Sequence, residues 1–120
     1  MTRSSLILAS ASPRRKKLLE QIGLQFSISR EDINESRLAN ESPEKYVRRM
    51  AEEKANSALS RPQSFATIVI AADTLVVKGS WLMGKPVDRE DCLRMLNLLS
   101  DGDHRVLSAV CVATDRKSVV

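Results

Sequence analysis

The pattern of apolar and polar positions divides the chain into short strands that alternate with amphipathic helices. Residues 6–9 and 66–72 are uninterrupted apolar runs, long enough for buried strands and too short for helices. Apolar and polar residues alternate in two further segments, and a Gly-Ser pair between two apolar runs predicts a hairpin. The predicted strands are residues 6–9, 25–30, 66–72, 75–78, 81–83 and 104–114. Because strands and helices alternate, the sequence predicts an α/β fold.

Three helices are predicted from their first residues. Ser12 and Ser42 can each cap a helix and precede a proline, which suits the first helical position; Asp88 can cap a third helix. The expected helix ends are Gly23, Arg61-Pro62 and Asp101-Gly102. The apolar faces expected to be buried are Leu18, Leu19 and Ile22, then Val47, Met50, Ala51 and Ala58, then Cys92, Met95, Leu96 and Leu99. Residues 31–41 lack periodicity and are predicted to form a loop.

Composition narrows the class of protein without identifying it. The chain has 120 residues, 42% of them hydrophobic, which suits a single domain over residues 1–120. A net charge of +4 suits an anionic ligand, whereas an aromatic content of 3% argues against a surface that stacks nucleic-acid bases. Cys92 and Cys111 fit no zinc or redox spacing and are expected to be buried thiols. No segment is long enough to span a membrane, so a cytoplasmic protein is expected.

The turn between the first strand and the first helix carries the strongest local sign of chemistry. The helix begins with Arg14, Arg15, Lys16 and Lys17, although a helix N-terminus favours negative charge. A phosphate held by backbone N–H groups, hydroxyls and the two guanidiniums would account for this arrangement. The alternative is a capped helix whose basic first turn is simply solvated, and the pattern alone leaves both open.

Two charged residues interrupt apolar segments. Lys54 lies nearly two turns after Val47, in the middle of the apolar stripe of the second helix, so it either extends past the core edge or reaches a cleft. Asp73 follows the strand at 66–72 and is expected at the carboxyl edge of the sheet, where open α/β sheets bind ligands. A surface-turn aspartate is the alternative for Asp73.

Together, the polar residues expected at sheet edges or on inward faces suit a nucleoside triphosphate. They are Ser10, Arg14, Arg15, Lys54, Lys85, Glu35 and Asp73. The cations can offset phosphate charge, and the carboxylates of Glu35 and Asp73 can hold Mg²⁺ or Mn²⁺ and activate a water. The glycine-rich pattern of a P-loop is absent from the sequence.

These segments, in this order, resemble the Maf family of nucleotide pyrophosphatases. The resemblance covers residues 4 to about 114 and is carried by residues 6–15, Leu18-Leu19, Glu35, 53–55, 72–74, 84–86 and Met95-Leu96. It implies a mixed, twisted sheet flanked by helices around a phosphate-binding cleft. It also implies hydrolysis of a nucleoside triphosphate to the monophosphate and pyrophosphate with a divalent metal cation. Apart from the resemblance, we expect binding to neither nucleic acid nor membrane, and a homodimer is left open.

The resemblance also assigns roles to individual residues. Asp73 matches the proton acceptor, Arg14 and Thr74 match positions linked to substrate choice, and Ser10, Arg15, Glu35, Lys54 and Lys85 match polar site positions. The Ala-Asp-Thr sequence at 72–74 resembles the branch that acts on dTTP and UTP. Family members are longer, however, and the second half of their fold is expected to be missing here. Two alternatives therefore stay open: a nucleotide-binding remnant without catalysis, and a small basic module that binds nucleic acid.

Overall fold

A five-stranded mixed sheet is built around one long strand. The computed structural model describes residues 4–61, 66–84, 86–100 and 102–114. Its elements are β1 (Ser4–Ala9), α1 (Pro13–Gln21), β2 (Ser27–Ile28), α2 (Pro43–Leu59), β3 (Ala66–Lys78), β4 (Trp81–Met83), α3 (Arg89–Leu99) and β5 (Arg105–Thr114). This arrangement confirms the α/β class and the mixed sheet with flanking helices. Lys85, Pro62 and Asp101 lie outside the described residues.

The two edges of β3 are paired in different ways. Along one edge β5 runs antiparallel beside residues 68–77 without interruption. The other edge is shared by β1, which pairs in parallel with residues 66–71, and β4, which pairs antiparallel with residues 76–78. In the described part of the chain no strand pairs with residues 72–75 on this second edge, which we call the edge gap.

The prediction that β3 ends before Asp73 is wrong. The strand continues through Asp73 and Thr74 to Lys78, because β5 pairs with every position from Ile68 to Val77. The last residue of β3 that pairs with β1 is Ala71, which lies opposite Ala9. Asp73 nevertheless lies only two residues beyond this pair. The carboxyl end of β1 therefore creates the sheet edge at which Asp73 was expected.

Helix α2 covers one face of the sheet and, together with β3, supplies most of the buried core. Ser42 caps α2 by accepting a hydrogen bond from the backbone N–H of Lys45, as predicted. The predicted stripe is confirmed and is extended by Ala55; its buried residues are Val47, Met50, Ala51, Ala55 and Ala58. Ala55 and Ala58 pack with Val69 and Ala71, and Val47 packs with Leu75 and Val77. Ala55, Ala58 and Ala71 are small, which lets the helix approach the sheet closely.

The other two helices have no buried residues, so their predicted inner faces are wrong in part. Their caps, Ser12 and Asp88, form as expected. Leu18 in α1, Ile22 just after α1 and Leu96 in α3 are more than half exposed, whereas the remaining predicted face residues are half-buried. Periodicity identifies the apolar side of a helix but not what covers it.

The face of the sheet opposite α2 is apolar and exposed. We call it the outer face; it carries Ile68, Val106, Val110 and Val112, each 39% to 69% exposed. The predicted second strand is shortened to two residues, which pair with Ile7 and Leu8 of β1. The two cysteines are half-buried free thiols rather than fully buried ones, and burial raises the pKa of Cys111. Among the described helices, none is both long and apolar enough to cross a membrane.

Candidate functional site

A cavity of about 1180 Å³ opens beside the edge gap. It collects most of the residues that the sequence singled out, although they come from the turn after β1, α1, the loop at 31–41, α2 and β3. The predicted site residues that line it are Ser10, Arg15, Glu35, Lys54, Asp73 and Thr74. Arg14 is exposed on α1 and does not line this cavity, and the position of Lys85 is not described.

Arg15 bridges the edge gap. Its Nη1 donates to the carbonyl oxygen of Ala72 at 3.2 Å and to Ser10 Oγ at 3.3 Å, and its Nη2 donates to Thr74 Oγ1 at 2.9 Å. The guanidinium thus supplies a donor to a β3 carbonyl at a point where neither β1 nor β4 continues the ladder. Because both terminal nitrogens bind protein groups, Arg15 connects the turn after β1 to β3. Direct contact between Arg15 and a substrate stays a prediction.

The same turn is organised by hydroxyl groups. Ser10 is buried, and its Oγ accepts a hydrogen bond from the backbone N–H of Ser12 at 3.1 Å. Ser12 Oγ in turn accepts from the backbone N–H of Arg15 at 3.3 Å, which caps α1. The turn therefore sets the N-terminus of α1 next to the end of β1 that borders the cavity. Arg14 is exposed at this N-terminus.

Lys54 and Asp73 form an ion pair inside the cavity. Lys54 Nζ lies 2.9 Å from Asp73 Oδ1, and the two side chains are only 15% and 17% exposed. Asp73 is on the face of β3 that α2 covers, which is why a lysine from the middle of the α2 stripe can reach it. The structure therefore supports the cleft interpretation of Lys54. Among the described residues no donor binds Asp73 Oδ2, so this oxygen can accept from a water or ligand.

Glu35 reaches the cavity from the loop at 31–41. The loop is held by α2: Tyr46 Oη donates to the backbone carbonyl oxygen of Glu35 at 2.6 Å, and Arg49 Nη2 donates to that of Ser36 at 2.9 Å. Burial, followed by the negative charges of Glu35 and Asp73, raises the pKa of the Tyr46 hydroxyl. Sequence reasoning missed Tyr46 and Arg49, because the contacts depend on how a loop without periodicity folds back on α2.

The donor set suits a divalent cation that is shared with a bound phosphate. Among the described residues there is no group of three or more His, Cys, Asp or Glu side chains that could hold a metal. Glu35 and Asp73 line the same cavity, however, and offer the carboxylate oxygens that Mg²⁺ prefers. One or two carboxylates completed by substrate phosphates and waters is a usual Mg²⁺ environment. The residues therefore fit a cation held jointly with a triphosphate, and not one held by protein alone.

Comparison with known proteins adds an independent line of evidence. The family described as "Maf-like protein" matches residues 5–120. The dTTP/UTP pyrophosphatase of Anaeromyxobacter dehalogenans is 48% identical over 107 residues, which are 89% of this chain and 52% of that protein. The dTTP/UTP pyrophosphatases of Vibrio cholerae and Xanthomonas euvesicatoria are 44% and 43% identical, over 93% and 94% of this chain and 59% and 60% of their own lengths. The chain thus spans between half and three fifths of these relatives.

Proposed function

Because this chain belongs to the Maf family, we propose that it hydrolyses nucleoside triphosphates to the monophosphate and pyrophosphate. The proposed substrates are dTTP and UTP, after the names of relatives that are 43% to 48% identical to it. The observation that carries the proposal is the Lys54–Asp73 pair in a cavity that also receives Ser10, Arg15 and Glu35. Cations and carboxylates from four separate elements in one cleft are what binding and cleaving a polyphosphate with a divalent cation requires.

Asp73 is proposed to act on the attacking water. Lys54 holds Oδ1 at 2.9 Å and fixes the carboxylate, which leaves Oδ2 to accept a proton from a water in the cavity. The water oxygen bonds to the α phosphorus, the bond from that phosphorus to the bridging oxygen breaks, and pyrophosphate leaves. A divalent cation bound between the triphosphate and the carboxylates of Glu35 and Asp73 would supply charge neutralisation on the phosphate oxygens.

The turn after β1 is proposed to bind the phosphates. The N–H groups of Ser12 and Arg15 already donate within this turn, so a phosphate at the N-terminus of α1 would meet the backbone N–H and the exposed guanidinium of Arg14. Lys85 is proposed to add a second cation. Thr74 is proposed to influence substrate choice together with Arg14; its Oγ1 accepts from Arg15 and lies 3.1 Å from Ser108 Oγ.

The proposal is tested by measuring pyrophosphate release from dTTP and UTP in the presence of Mg²⁺ or Mn²⁺. Asp73→Asn should lower turnover at least about 100-fold, which is the lower range for loss of a general base. Asp32→Asn is the matched control, because Asp32 is a second carboxylate that lines the same cavity but is exposed. No release by the intact chain, or equal release by Asp73→Asn and the unchanged chain, would refute the proposal.

A nucleotide-binding protein without catalysis is the second candidate, because the chain spans only 52% to 60% of its relatives. It predicts a rise in melting temperature when dTTP is added, with no release of pyrophosphate. A concentration series of dTTP in a thermal-shift assay establishes binding, since a ligand stabilises the folded state by mass action, and the pyrophosphate assay on the same samples separates this candidate from the enzyme.

A further inference from the structure

The loop at 31–41 ends in a closed turn that α2 holds through one arginine. Arg49 Nε and Nη2 donate to the two carboxylate oxygens of Glu41 at 2.6 and 2.9 Å, and Nη1 donates to Glu53 at 2.8 Å. Glu41 is 8% exposed, and its Oε1 also accepts from the backbone N–H of Leu38 at 3.1 Å. The planar guanidinium matches the carboxylate in a two-point contact that a lysine cannot reproduce.

The same arginine also holds the part of the loop that faces the cavity. The Nη2 atom that binds Glu41 donates to the carbonyl oxygen of Ser36 at 2.9 Å. Its guanidinium lies 5.6 Å from the centre of the Tyr46 ring, and Tyr46 Oη donates to the carbonyl oxygen of Glu35. Two consecutive carbonyl groups of the loop are therefore fixed by two side chains one turn apart on α2.

Without these contacts the loop has little else to fix it near Glu35. Residues 34–40 are all exposed, and the other hydrogen bonds there stay within the loop: the Ser36 N–H donates to Asn34, and Arg37 Nη2 donates to the Glu41 carbonyl oxygen. The beginning of the loop is anchored separately, where Arg61 and Ser57 donate to Glu31. An exposed loop segment anchored only at its ends would sample many backbone conformations, which would move Glu35 relative to Asp73.

We propose that Arg49 and Tyr46 are positioning residues that fix Glu35 at the cavity for binding a divalent cation. The inference rests on the proposed function for the role of Glu35, but the geometry of the loop is independent of it. Neither residue touches a substrate in this role; each acts through the backbone of the loop. The alternative is that Arg49 and Tyr46 only stabilise the fold.

The test compares Arg49→Lys and Tyr46→Phe with Arg48→Lys. Arg49→Lys keeps the charge but loses the two-point contact, and Tyr46→Phe removes only the hydroxyl. Arg48 is the neighbouring arginine on the exposed side of α2, so Arg48→Lys is a matched control. Three quantities are measured on the whole chain: hydrogen exchange of amides 33–38, Mn²⁺ affinity by electron paramagnetic resonance with an α,β-methylene dTTP analogue, and the Mg²⁺ dependence of pyrophosphate release.

Both variants should speed exchange of the loop amides about fivefold or more, as expected for loss of one hydrogen bond. They should weaken Mn²⁺ affinity by a similar factor and raise the Mg²⁺ concentration at half-maximal rate more than they lower the rate at saturating Mg²⁺. Denaturation of each variant, followed by circular dichroism, measures its overall stability. A general loss of stability would speed exchange in β3 as well as in the loop.

Equal exchange and equal Mn²⁺ affinity for Arg49→Lys and Arg48→Lys would overturn the inference. It would also fall if Glu35→Gln left Mn²⁺ affinity unchanged, because the loop would then not deliver a cation ligand. If the unchanged chain released no pyrophosphate, the proposed function would fail, but the exchange and Mn²⁺ measurements would still decide the positioning role.

Discussion

The Lys54–Asp73 pair should contribute measurably to stability, and a double-mutant cycle can isolate its energy. At the 2.9 Å separation, two full charges in an effective dielectric constant of about 20 attract by about 6 kcal/mol. Lost hydration offsets most of this, because both side chains are largely but not fully buried. Exposed pairs contribute about 0.2–1 kcal/mol, and removing one partner of a buried pair costs about 3–5 kcal/mol. We therefore expect a coupling energy of about 1.5 kcal/mol.

The cycle needs Lys54→Met, Asp73→Asn and the double variant. Lys54→Met keeps much of the side-chain volume and leaves the Asp73 carboxylate without its donor, so it should lower the free energy of unfolding by about 1.5–3 kcal/mol. Adding Asp73→Asn should recover part of this loss of stability, because an unpaired uncharged amide costs less free energy in this setting than an unpaired carboxylate. The measurement is urea denaturation at pH 7, followed by circular dichroism, with similar slopes for all four proteins.

Salt dependence provides a second check of the same reasoning. A pair that is shielded from solvent should keep most of its coupling energy at high ionic strength, whereas an exposed pair is screened. Two results would show that the two charges do not meet inside the cavity. One is a coupling energy below about 0.3 kcal/mol, and the other is a coupling energy that vanishes in 1 M salt, as the screening of an exposed pair predicts. The proposed fixing of the Asp73 carboxylate by Lys54 would then be wrong.

Three further outcomes follow from the packing, the turn geometry and the charges. Ala55→Leu should lower the free energy of unfolding by about 1–3 kcal/mol, because Ala55 is fully buried between α2 and the sheet; an unchanged melting temperature would contradict this packing. Gly79→Ala should cost about 1–2 kcal/mol in urea denaturation, since Gly79 has a φ of 57° in the β3–β4 turn; Gly84→Ala, at a position without positive φ, is the control. The hydrogen bond from Arg49 outweighs burial and lowers the pKa of Glu41 from 4.5 to about 2. The ionised Glu41 carboxylate should therefore contribute fully to the free energy of unfolding above about pH 5, and this contribution should be lost as the pH falls toward 2. Glu41→Gln should flatten the dependence of the free energy of unfolding on pH in that range.

Local chemistry was enough to predict the helix starts and the main packing face. Ser12, Ser42 and Asp88 cap the three helices because capping depends only on residues three positions apart. The α2 stripe was predicted because one face of that helix is apolar almost throughout. The same pattern made Lys54 conspicuous as the one charged residue in the stripe, and its contact with Asp73 lies where the sequence placed both residues.

What the sequence could not predict depends on contacts between distant segments. The end of β3 was misplaced because β5, some 40 residues later, extends the ladder past Asp73. The bridging role of Arg15 was hidden for a similar reason: it requires β1 and β4 to stop short of one another on one edge. The loop contacts of Arg49 follow no local spacing rule, and no sequence signal that we recognise would have identified them.

The outer face has a practical consequence for work with this protein. Its valines lie on β5. The edge of β5 that faces away from β3 has no partner among the described residues. An apolar surface beside unpaired backbone groups is the combination from which β proteins aggregate when concentrated. Preparations should therefore become turbid or oligomeric as concentration rises, and Val110→Ser should postpone that onset at a position that does not line the cavity.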